Sequence, residues 1–211
     1  MKTTKKALLL ALCAVLLVVS TVFATLAYLQ AETQVVRNTF TVGEIEITLD
    51  EAKVDLYGKE VAGADRVLEN EYKLIPGHKY TKDPTVHVDP DSEKCYVFVE
   101  VINKIADIED KTAASKTIAT QMTGLGWTNL SGDIWYYNNP VDPSVSGTDL
   151  DLEVFEFFKI AGDAAVAGFV TEKDTSGEPV DDAIVIDVKA YAVQFDGFGT
   201  AQAAWTATFG A

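Results

Sequence analysis

The stretch Cys95-Tyr96-Val97-Phe98-Val99-Glu100-Val101-Ile102 decides the fold. It alternates in the two-residue period of a strand and is rich in β-branched and aromatic residues. Cys95, Val97, Val99 and Val101 share one face; Tyr96, Phe98, Glu100 and Ile102 share the other. Both faces are largely apolar, so the strand belongs in the middle of a layered β-structure rather than at its rim. Cys95 itself reads as a small apolar strand residue, the alternative being a free thiol that cross-links two copies.

Working outward, the neighbours repeat the pattern. Thr85-Val86-His87-Val88 alternates, and Asp89-Pro90-Asp91-Ser92 turns the chain into the central strand. Upstream, Glu44-Ile45-Glu46-Ile47-Thr48-Leu49 alternates strictly, with Ile45, Ile47 and Leu49 toward a core. Val54 to Leu56 is a shorter apolar piece before a turn at Tyr57-Gly58-Lys59, and 62–70 reads as a polar loop. Pro76-Gly77 has the composition of a type II turn. Downstream, 105–122 loses the two-residue period; Ile105, Ile108, Ile118 and Met122 suggest a helix ending at Gly124. Trp127 to Tyr137 reads as a hairpin turning at Ser131-Gly132-Asp133, followed by a loop over 138–148. Alternation resumes over 150–160, with Leu152, Val154, Phe157 and Phe158 as its apolar set, and Thr175 to Pro179 is a turn. A long strand is expected over 183–194, with Ile184, Ile186, Val188, Ala190 and Ala192 on one face. A short helix over 200–209 would pack through Ala203, Ala204, Trp205 and Ala207. The sum is a mainly β fold, a jelly-roll-like antiparallel sandwich with one or two peripheral helices.

The sandwich is preceded by a segment of another kind. Lys2, Lys5 and Lys6 form a basic start, 7–19 is unbrokenly apolar, and no acidic residue appears before Glu32. Val22 and Ala24, or Thr25 and Ala27, stand at the −3 and −1 positions of a signal-peptidase cut. The expected organisation is a signal-peptide helix at 1–27, an extended segment at 28–37 and the β-sandwich at 38–211, its first strand over Thr39 to Val42. An uncleaved anchor over 7–29 is the alternative and also leaves the domain outside the cell. Cys13 lacks the small preceding residue of a lipobox.

Composition narrows the function. The chain has 211 residues, 32 acidic and 17 basic, for a net charge of −15. Without 1–27, which hold three lysines and no acid, the remainder carries about −18. Such a surface repels nucleic acid and anionic membranes, so the membrane is a partner only through the uncleaved signal. With Cys13 removed, Cys95 has no disulfide partner. No cofactor is expected. His78 and His87 lack the His-Glu-x-x-His spacing of a zinc protease and read as surface residues flanking a turn. No Gly-x-Ser-x-Gly or phosphate-loop motif occurs, so no catalytic residue and no enzymatic activity are expected. Asp142, Ser144, Ser146 and Glu153 mimic positions 1, 3, 5 and 12 of a calcium loop. Pro143 and Asp149 break that pattern and no helices flank it, so an acidic turn is the plainer reading.

Several stretches resemble the TasA/camelysin family: the signal, Thr39-Phe40-Thr41-Val42-Gly43, Leu74-Ile75-Pro76-Gly77-His78-Lys79-Tyr80-Thr81-Lys82-Asp83, and Val188 to Gln194. They cover about a third of the chain; 105–179 carries no resemblance. The family comprises exported proteins of Gram-positive bacteria processed by a dedicated ER-type signal peptidase, SipW. The resemblance implies a jelly-roll subunit of extracellular biofilm-matrix fibres, cleaved between Ala27 and Tyr28. Its partners would be other copies of itself, the signal peptidase during export, and other matrix proteins. Assembly by donor-strand exchange would use Tyr28, Leu29, Ala31, Val35 and Val36, which supply apolar anchors to an open sheet edge. The competing expectation is a secreted or anchored adhesin binding carbohydrate through Trp127, Trp135, Tyr136 and Tyr137.

Overall fold

The computed structural model describes residues 5–7, 10–19, 44–164 and 185–210. It divides into two units, 1–42 and 43–211. In the first, residues 5–7 and 10–19 are helical (α1), with Leu10, Leu12, Val15 and Leu16 among its exposed apolar side chains. No described helix is long and apolar enough to cross a membrane. The cleavage site, the 28–37 segment, the strand expected at Thr39 to Val42, the turn at Thr175 to Pro179 and Ile184 lie outside the described residues.

The second unit is mainly β, and every strand pair among its described residues is antiparallel. Strands β1 (Ile47–Asp50), β3 (Thr85–Val88) and β7 (Asp151–Glu153) form one sheet in the order β1-β3-β7. Strands β5 (Trp127–Ser131), β6 (Ile134–Tyr137), β4 (Cys95–Asn103) and β9 (Ile186–Gln194) form another in that order. A two-stranded ribbon pairs β2 (Lys79–Thr81) with β8 (Phe157–Lys159). The described residues of the unit also hold two helices, α2 (Ile118–Gly124) and α3 (Ala201–Phe209).

β4 is central, as its two apolar faces require. Cys95, Val97, Val99 and Val101 enter the main core with Val86, Val88 and Leu152 of the facing sheet. Tyr96 and Phe98 enter a second core with Val193 and with Ala201 and Ala204 of α3. The four-stranded sheet therefore lies between the three-stranded sheet and a helix. Cys95 is fully buried, and burial pushes its thiol up to about 11. A cross-link through it would require the fold to open.

The alternating segments appear where the period places them. β3 spans the expected residues, Ile45, Ile47 and Leu49 pack on the main core, and the face of β9 holding Ile186, Val188, Ala190 and Ala192 does the same. The hairpin β5–β6 closes Ser131 against Ile134, with Gly132 at φ +52 in the first turn position, where a type II′ turn calls for glycine. Gly77 has φ +78, and the His78 N–H reaches the Ile75 carbonyl at 3.1 Å, closing the Pro-Gly turn.

Three expectations fail. The helix expected over 105–122 is only Ile118–Gly124; before it the chain makes turns and a bridge from Glu109 to Ile160. Lys116 at φ +51 interrupts helical geometry, and Thr117 then caps α2 by accepting the Thr120 N–H. The strand expected over 150–160 splits into β7 and β8, which join different sheets. Phe155, in the break, is fully buried, whereas Phe157 is half-exposed beneath the Lys79 ammonium at 3.6 Å. In α3, Ala204 is buried and Trp205 partly so, but Ala203 and Ala207 are exposed and Ala201 packs in their stead.

Gly58 shows how tightly the 51–83 region is seated. Its φ is +73, and a Cβ there would lie 2.6 Å from Tyr80 Cα. Gly63 has φ +74 but open space around it. Gly58→Ala should cost well over ~1 kcal/mol through strain and clash together, and Gly63→Ala only about 1 kcal/mol from backbone strain. Chemical denaturation of the two variants checks this; equal losses would mean that the Tyr80 contact does not matter.

Candidate functional site

Three features of the second unit have defined polar geometry: the exposed edge of β9, the outer face of the β1-β3-β7 sheet, and a buried polar network within 51–83.

β9 pairs with β4 over nine residues, and among the described residues no strand pairs with its other side. Two flanking bonds set the phase of the ladder: Lys104 N–H to the Val185 carbonyl at 3.0 Å and Phe195 N–H to the Lys94 carbonyl at 2.9 Å. Antiparallel bonds alternate, so the odd-numbered residues of β9 bond to β4. Ile186, Val188, Ala190 and Ala192 therefore aim their backbone groups outward. The opposite corner is closed differently: the Trp127 indole N–H donates to the carbonyl of Glu153, on the free side of β7, at 2.8 Å.

On the outer face of the three-stranded sheet, His87 of β3 stands between carboxylates of both neighbours. Its Nδ1 is 2.7 Å from Asp151 and its Nε2 is 3.0 Å from Asp50. A carboxylate beside each ring nitrogen favours the doubly protonated imidazolium. Burial opposes the charge, but the bonds to Asp151 and Asp50 outweigh it, and the His87 pKa is raised. Arg66 closes the cluster: Nε bonds Asp50, one terminal nitrogen bonds Asp83 at 2.7 Å, and the other bonds Thr85 Oγ1 at 3.1 Å. For Asp50, burial again opposes the charge, and the bonds from Arg66 and His87 prevail to lower its pKa. A cleft of about 380 Å³ adjoins the cluster, lined by Glu46, Thr48, His87, Asp89, Pro90 and Asp151 among others.

The third feature is buried. Glu51 is 4% exposed, and its carboxylate binds Lys82 Nζ through Oε2 and Asn70 Nδ2 through Oε1, the latter at 2.9 Å. Residues 51 and 67 are paired by reciprocal backbone bonds of 2.8 Å, which bring Asn70 alongside.

The residues expected to carry function are dispersed. Ala27, Tyr28, Leu29, Ala31, Val35 and Val36 fall outside the described residues. Asp142 accepts from the Ser144 N–H and hydroxyl in its own turn and pairs with Lys94 at 3.6 Å; Ser146 is exposed. Glu153 lies in β7, its carboxyl raised by burial and by nearby Glu156. Among the described residues no three His, Cys, Asp or Glu side chains converge as a metal site. His78 bonds the Tyr57 carbonyl through Nε2 at 2.9 Å. Trp127 is fully buried, Trp135 and Tyr137 pack on the main core, and Tyr136 on the second, so these four rings form no exposed platform. Sequence reading missed the His87 cluster and the Glu51 network, whose members are far apart in the chain and share no local pattern.

Comparison with protein-family models, with curated proteins and with solved structures returns no match to this chain.

The His87 cluster predicts a pH dependence. A raised pKa stabilises the fold fully below pH ~6.5, and that contribution is lost as pH rises through the higher folded-state value. His87 is partly exposed, so the effect is about 1 kcal/mol or less. Wild-type stability should fall between pH 6 and 9, and His87→Gln should flatten that fall; an unchanged slope would remove His87 as the titrating group.

Proposed function

We propose that the chain is an exported structural subunit that polymerises into extracellular fibres, in the manner the TasA/camelysin resemblance implies. In this reading the β-domain is a jelly-roll-type sandwich, 1–27 is a signal peptide cut after Ala27, and 28–37 is a donor strand. It adds to a sheet edge of the next subunit, by main-chain hydrogen bonds and by its apolar anchors. Head-to-tail repetition of such a contact does not close, and a filament results. No catalytic chemistry is assigned.

The observation that carries this reading is the edge of β9. Among the described residues it is the longest rim strand, its outward backbone groups have no strand partner, and it pairs with β4 without a register shift from 186 to 194. Unpaired edges of that length invite strand addition. The absence of an internal disulfide in the mature chain and its strong negative charge fit a subunit held by its own core and kept apart by repulsion until it pairs.

Two experiments test the proposal. Protein starting at Tyr28 should form filaments by electron microscopy, faster at mildly acidic pH or raised salt, where repulsion is screened; protein starting at Asn38 should stay monomeric. Equal polymerisation of both would exclude the donor segment. Ala190→Pro removes one outward N–H of β9 and no bond to β4, so it should leave the monomer folded and slow elongation at least about tenfold, the cost of one lost edge bond near 1.4 kcal/mol. Unchanged elongation would place the acceptor elsewhere.

A further inference from the structure

We propose that Lys82 and Asn70 become joined by an intramolecular isopeptide bond, with Glu51 as the proton carrier. The three groups meet on one carboxylate. Lys82 Nζ bonds Glu51 Oε2, and Asn70 Nδ2 bonds Glu51 Oε1 at 2.9 Å. The Asn70 amide is oriented without ambiguity: Nδ2 also donates to the Ala52 carbonyl at 2.8 Å, and Oδ1 accepts the Val54 N–H at 3.0 Å. That last bond polarises the carbonyl and lies where negative charge develops when the carbonyl carbon is attacked.

The surroundings favour the chemistry. Glu51 is 4% exposed and the Lys82 side chain 12%. Tyr72, edge-on to both Tyr80 and Phe158, closes the aromatic side of the site. Tyr72 titrates well above the ordinary tyrosine range, through burial and then the nearby Glu51 and Asp83 charges, as expected in a region poor in water. Both reacting residues are held by backbone: Asn70 by the Glu51–Val67 bridge, Lys82 by its N–H to the Glu156 carbonyl at 3.2 Å. A buried ion pair alone gains little over apolar packing, whereas one set beside a fixed carboxamide has a reaction open to it.

The step balances within the chain. Glu51 Oε2 takes a proton from the Lys82 ammonium. The freed lone pair attacks Asn70 Cγ, forming the new C–N bond, and the carbonyl electrons move onto Oδ1 against the Val54 N–H. Collapse breaks the Cγ–Nδ2 bond. The protons lost by Nζ pass through Glu51 to the departing nitrogen, which leaves as ammonium. Glu51 ends as it began, and no oxidant or cofactor is consumed. The product closes the loop between residues 70 and 82, which contains the Pro76-Gly77 turn. The inference does not depend on polymerisation.

Intact-mass measurement of the denatured full chain, or of its secreted form with the amino terminus sequenced, provides the test. The wild-type protein should weigh one ammonia less than its sequence. Lys82→Arg, Asn70→Ala and Glu51→Gln should each return to their sequence mass. Tryptic digestion of the wild type should yield a branched peptide joining 67–73 to 80–94, a readout that stands even where a variant folds poorly. A wild-type mass equal to the sequence with no branched peptide would overturn the proposal, leaving a buried ion pair. So would a mass deficit that survives Lys82→Arg. Undiminished bond formation in Glu51→Gln would remove Glu51 as the proton carrier.

Discussion

The fold depends on the demand that β4 be dry on both faces. One face supplies valines and a buried cysteine to the space beneath the three-stranded sheet; the other supplies Tyr96 and Phe98 to the space beneath α3. Strands on either side follow from this, because a nine-residue strand buried on both faces must also satisfy its backbone groups on both edges. β6 covers part of one edge and β9 runs the whole length of the other. Helix α3 is weakly amphipathic in sequence, and its position is fixed by Phe98 and Tyr191, against which Trp205 packs at ring distances of 5.1 and 5.4 Å.

What was legible in the sequence follows the same logic. Where burial is one-sided or two-sided along a strand, the two-residue period records it, and β1, β3, β4, β9 and the β5–β6 hairpin could be read directly. Gly58, Gly77 and Gly132 marked their turns because each occupies positive φ. Residues 105–117 misled because their isoleucines are spaced for a helix yet are held by something the period does not encode. The buried Glu109 carboxylate accepts the Ile118 N–H at 2.9 Å and the Asn103 amide at 3.0 Å, tying the end of β4 to the start of α2. Burial raises its pKa, and the two bonds only partly offset that. The division of 150–160 between two sheets was hidden for a similar reason: Phe155 turns inward at the break, and apolar composition alone does not say which sheet each half joins.

The polar clusters were the least legible features. His87, Asp50, Asp151, Arg66 and Asp83 come from four separate stretches, and no local pattern announces that they meet. Their common cause is the register of β1 and β7 on β3, which sets Thr48 and Asp151 opposite His87 and places Asp50 beside Thr85. A slip of one residue in either pairing would turn the charges of β1 or β7 toward the core and bring Leu49 or Leu152 to water. The cluster thus opposes misregister as much as it joins the strands.

The single thiol of the β-domain has a further consequence. Cys95 begins β4, is sealed on the core side, and sits in a pair with Gln194 of β9 and a bridge with Val141. A thiol-directed reagent can reach it only when β4 parts from these neighbours, and high thiol pKa slows the reaction further at neutral pH. The rate of its modification is therefore a clock set by the opening of the central strand. It times the separation of the domain's innermost layer without a label being introduced.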